Sequence, residues 1–141
     1  MLPNSSERRA LVAVLRCLGV LDLLALAAVL APRPFLESAA QAVGLPLPEG
    51  PLPVYLVRSA SILYAVHGVL VLFLSLDVVR YRPVIRFLAL VALVHGVVIL
   101  GIDLFERMPL WWCVAEGPGI AAMGIVVLLL LRRAGLSAPE K

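Results

Sequence analysis

Apolar residues fill four long stretches of this chain, at about 10–31, 54–79, 84–105 and 110–131, and short segments rich in proline or arginine divide them. At a rise of ~1.5 Å per residue, a stretch of roughly 20 residues crosses the ~30 Å hydrocarbon core of a bilayer. The pattern therefore predicts an all-α, integral membrane four-helix bundle, a single domain over residues 1–141. The first stretch follows Glu7, Arg8 and Arg9, and a cleaved signal peptide is its competing reading. Arg16 and Asp22 interrupt it, and it is longer than the ~7–15 residues of a signal's apolar region, so a retained helix is preferred.

Between the first and second stretches, prolines at 32, 34, 46, 48, 51 and 53 exclude a continuous helix. Within this loop Phe35, Leu36, Ala39, Ala42 and Val43 recur at helical spacing opposite Glu37, Ser38 and Gln41, and Gly44 supplies a stop. That spacing predicts a short helix lying in the membrane interface; a proline-stiffened spacer is equally compatible.

Polar residues inside the spans sort onto one side of each helix. On a wheel of ~100° per residue, Arg58, Ser61, Tyr64, His67, Gly68 and Ser75 share one half of the second helix. Ile62, Leu63, Val66, Val69, Leu70 and Phe73 make up the other, lipid-like half. The third helix gathers Ala89, Ala92, His95, Gly96 and Asp103 on one arc, and small residues there permit close helix approach. In the fourth, Pro118 to Leu131 is too short to span alone, so the segment from Leu110 to Gly117 must contribute and carries Glu116 into the membrane. Pro118 between Gly117 and Gly119 predicts a kink or break, with freed backbone facing an outward-opening cavity. Trp111 and Trp112 mark the interface above it.

Composition enters only to fix the environment. A hydrophobic share of 62%, a charged share of 15% and a mean hydropathy of +1.05 exceed what a soluble core of this size buries. Net charge is +3, yet the arginines are blocky and no basic face is interleaved with aromatics, so a nucleic-acid partner is not expected. Nine basic residues, Arg8, Arg9, Arg16, Arg80, Arg82, Arg86, Arg132, Arg133 and Lys141, fall on one side of the four-span topology. Arg33, Arg58 and Arg107 fall on the other, which predicts both termini in the cytoplasm. Arg80, Arg82 and Arg86 then meet lipid headgroups, with Tyr81 at interface depth. Cys17 and Cys113 lie near opposite ends of the layer, and no disulfide is expected.

Two candidate sites follow. Arg58, Asp103 and Glu116 fall near the outer ends of their spans, and Asp22 joins them if it lies slightly deeper. Such a cluster either locks helices together or binds a small polar or cationic ligand, a lipid headgroup or a proton. His67 and His95 each lie 14 residues from an outer proline, Pro53 and Pro109, and so share a depth. They ligate a haem from facing helices, or hydrogen-bond Tyr64, Ser75 or each other. No third metal ligand accompanies them, so no metal site is expected. A short echo, Val66-His67-Gly68-Val69 and Val94-His95-Gly96-Val97, fits chance similarity of apolar segments.

Phosphate loops, CxxC, HExxH and nucleophile motifs do not occur, which points to a non-enzymatic protein. A first helix ending at Ala31-Pro32, a short loop helix and three further helices with inward polar residues resemble small bacterial membrane proteins of the DoxX-like type. The segments Asp77 to Pro83 and Met108 to Pro118 carry the same likeness. The resemblance implies a bacterial inner-membrane location and an accessory role beside a larger membrane or redox complex. It supplies no catalytic residues. The expected function is a lipid- or small-ligand-binding accessory protein, with a haem-binding electron-transfer protein as the alternative.

Overall fold

A computed structural model describes residues 5–136. The helices run α1 Ser5–Leu24, α2 Leu26–Leu30, α3 Arg33–Ala42, α4 Pro51–Leu74, α5 Arg82–Phe105 and α6 Leu110–Arg133, and the described residues contain no strand. Four apolar helices are long enough to span a bilayer: Ser6–Leu30, counting α1 and α2 together, then α4, α5 and α6. The chain is thus an all-α multi-pass membrane protein. Lys141, counted above among the basic residues, lies outside the described residues.

Two compact units divide the chain. The first is Arg16–Phe73; the second joins the start of α1, up to Leu15, to everything from Leu74 onward. In the first unit α1 crosses α4 in antiparallel sense. A Cβ on Gly68 would stand 2.6 Å from the Gly19 carbonyl oxygen, and one on Gly19 would stand 2.6 Å from Leu72, so only glycines allow this approach. Ala31, Leu36 and Val54 form a buried cluster with Ala28, Leu47 and Val57 packed on it, which pins α3 to the ends of α2 and α4. Of the apolar face expected for α3, Leu36 alone is buried, while Phe35, Ala39, Ala42 and Val43 stay exposed. Gly44, at φ 75°, closes α3 as the Leu45 amide donates back to the Ala40 carbonyl.

In the second unit α5 and α6 are also antiparallel. A Cβ on Gly96 would lie 2.5 Å from the Gly117 carbonyl oxygen and 2.8 Å from the Ala121 nitrogen, and one on Gly124 would lie 2.7 Å from the Ala89 carbonyl oxygen. The turn between them is short: Arg107 takes φ 55° and the Met108 amide donates to the Asp103 carbonyl at 2.9 Å, closing α5.

Two expectations need correction. The second span ends at Leu74 rather than near 79, because Asp77 Oδ1 accepts the Arg80 amide at 3.1 Å and turns the chain there. Pro118 does not break α6, which runs helical over 24 residues, roughly 36 Å, from Leu110. A single proline leaves the rest of the ladder intact, and Gly117 and Gly119 relieve crowding around the ring.

Candidate functional site

Membership of the two units sorts the expected charge cluster: Asp22 and Arg58 belong to the first, Asp103 and Glu116 to the second.

Within the first unit the close approach at Gly19 and Gly68 sets the neighbouring side chains face to face. His67 Nδ1–H donates to Asp22 Oδ2 at 2.7 Å. Sequence reasoning placed both residues in the membrane but did not pair them. The available signal was Gly-x-x-Asp on one helix against His-Gly on the other, since the glycines fix where the helices touch. Arg58 lies nine residues from His67 along α4, about 13 Å of helix, and is engaged elsewhere. Its Nη2 donates to the Ala31 carbonyl at 3.0 Å, and its Nε is buried without a hydrogen-bond partner among the described residues. That bond satisfies the carbonyl at the end of α2, so Arg58 ties the N-terminal part of α4 to the start of the loop. Arg33 holds the loop itself, donating to Glu37 at 2.6 Å and to the Gly50 carbonyl at 2.8 Å. Tyr64, on the same helix, is exposed.

Asp103 dominates the second unit. It is 5% exposed and its Oδ2 has no hydrogen-bond partner among the described residues. Gly96 meets Ala121 and Gly117 meets Leu100, so the antiparallel register sets Asp103 opposite Val114 and Glu116 within one helical turn of that level, ~5 Å. The two acids thus lie at one level of the helix pair but are used differently. Trp112 Nε1–H donates to Glu116 Oε2, an i,i+4 bond along α6. Trp111 packs edge to face on Trp112 with ring centroids 5.4 Å apart, and Cys113 Sγ–H donates to the Met108 carbonyl at 3.5 Å. Glu116 is therefore a satisfied acid, whereas Asp103 carries a bare carboxylate oxygen. His95 is exposed on α5 and makes no hydrogen bond among the described residues.

Among the described residues no three His, Cys, Asp or Glu side chains are grouped to hold a metal ion, and both cysteines are free. Arg80 lies over the Tyr81 ring at 5.6 Å, while Arg82 and Arg86 open α5. No protein-family model, curated protein or solved structure matches this chain.

Proposed function

We propose that this chain is a small non-enzymatic protein of the bacterial cytoplasmic membrane, with both termini in the cytoplasm, that holds a small cationic ligand against Asp103. One observation carries the reading: a carboxylate that is 5% exposed, within an apolar span, leaves one oxygen without any partner among the described residues. Ionisable groups at such depth are costly unless a countercharge meets them. Glu116, at nearly the same level, has its indole donor and leaves Asp103 as the group with binding capacity to spare. The arginine blocks support the orientation, and the DoxX-like resemblance supports an accessory place beside a larger membrane or redox complex, which co-purification in mild detergent tests. The amphipathic pattern of α3 supports its lying in the interface.

The experiment is thermal unfolding of purified protein with and without tetraethylammonium chloride, against sodium chloride at equal ionic strength. Wild type is expected to be stabilised by the organic cation and Asp103→Asn is not. Without ligand, Asp103→Asn is expected to be more stable than wild type by about 2 kcal/mol, since it removes an unpaired charge. Equal responses of the two proteins would sink the reading.

A haem-binding electron carrier is the second reading, and the bond between His67 and Asp22 favours it. A carboxylate that accepts from Nδ1 leaves Nε2 to meet iron, the usual arrangement behind a ligating imidazole. Purified protein lacking a Soret band after expression with haem supply removes this reading.

A further inference from the structure

The second unit has a charge asymmetry that the Asp103 reading leaves unused. Arg8 and Arg9 lie in the first turns of α1, Arg80 in the turn after α4, Arg82 at the start of α5, and Arg132 and Arg133 at the end of α6. The antiparallel register that joins Gly96 to Ala121 and Gly124 to Leu93 brings the start of α5 level with the end of α6. Arg82, Arg132 and Arg133 therefore stand at one end of that helix pair. Among the described residues, the largest fully buried side chains are Leu11, Val78, Ile85 and Leu131. All belong to this unit, and each lies within three residues of one of these arginines. The guanidinium groups thus rise from the best-packed part of the molecule rather than from a loose terminus.

Two acids accompany them, Glu7 and Asp77, and Asp77 is turned to the Arg80 amide at 3.1 Å. None of the six arginines forms an ion pair with a carboxylate among the described residues. Directly beyond the charges, Val84, Phe87 and Leu129 present exposed apolar surface on α5 and α6. An arginine fork matches a phosphodiester, and apolar surface next to it matches acyl chains. We infer that this end of the second unit is a binding surface for an anionic phospholipid, which the arginines hold by its phosphate and α5 and α6 flank along its acyl chains. The ligand is an amphiphile rather than a free phosphate, because the exposed apolar strip continues from the charged end.

The test reconstitutes the full chain in bilayers of equal parts phosphatidylcholine and phosphatidylglycerol, extracts it in mild detergent, and measures the lipid retained. Phosphatidylglycerol is expected to be enriched over the input ratio. Arg132→Gln with Arg133→Gln should lower the enrichment, by roughly fivefold for each charge removed. Arg107→Gln, on the turn at the opposite ends of α5 and α6, should leave it unchanged. Arg80→Gln with Arg82→Gln, in the turn before α5 and at its start, gives a second pair should the first fail to fold. Equal retention of the two lipids by wild type, enrichment that survives both double substitutions, or release of the lipid by millimolar inorganic phosphate would each overturn the inference.

Discussion

Where α1 meets α4, Gly19 and Gly68 bring two backbones together, and the His67–Asp22 hydrogen bond is made beside them at 2.7 Å. Where α5 meets α6, Gly96 and Gly117 do the same, and Gly124 against Ala89 adds a second close contact further along the same seam. His95 precedes Gly96 as His67 precedes Gly68 and is exposed like it, yet no acid answers it among the described residues. Lipid tails are as apolar as leucine, so helices in a membrane gain little by hiding apolar side chains from them. Close backbone packing and interhelical hydrogen bonds remain as the means of association. One seam combines a close contact with a polar bond, and the other repeats the close contact along its length.

The comparison breaks most easily at its shared element. Gly96→Val and Gly68→Val should each destabilise by about 3 kcal/mol, because the first added carbon already meets backbone that cannot swing aside. Denaturation of purified protein in detergent reads this out, and a harmless Gly68→Val would show that the α1·α4 seam does not rest on glycine. A smaller effect separates the seams. A double-mutant cycle on Asp22→Asn and His67→Ala should return a coupling of about 1 kcal/mol. His95→Ala should be close to neutral; a cost equal to that of His67→Ala would erase the distinction. The smallest effect lies off both seams. Gly101 has nothing within 4 Å of an added Cβ, so Gly101→Ala should stabilise α5 by about 0.5 kcal/mol through helix propensity. A loss of stability there would reveal a packed surface.

Much of this architecture can be read from apolar run lengths, since spans are defined by a physical thickness. Element ends are harder. The run Leu74 to Val79 stays apolar except at Ser75 and Asp77, and the Asp77 side chain's bond to the Arg80 amide turns the chain beyond α4. No proline or glycine announces the interruption at Ala25 between α1 and α2. Helical wheels put Gly68 and Gly96, where the helices meet, on the polar faces of α4 and α5, although Tyr64, His67 and His95 on those faces are exposed. They could not pair faces, so the meeting of Asp22 with His67 was missed while each residue was singled out. The bond between Trp112 and Glu116 was accessible from i,i+4 spacing alone. That Asp103 rather than Glu116 keeps an unpartnered oxygen depends on which way each side chain turns, and spacing alone does not determine that.

The turn from Glu106 to Pro109 bears on the order of assembly. It joins α5 to α6 with four residues, its αL position filled by Arg107, and Pro109 leads directly into α6. Closing so short a connection loses little chain entropy, whereas the bond between Asp22 and His67 closes a separation of 45 residues. Once synthesised, α5 and α6 can therefore pair as a local hairpin in the bilayer. The α1·α4 seam has a proline-rich loop and a third helix to bring round before its glycines meet.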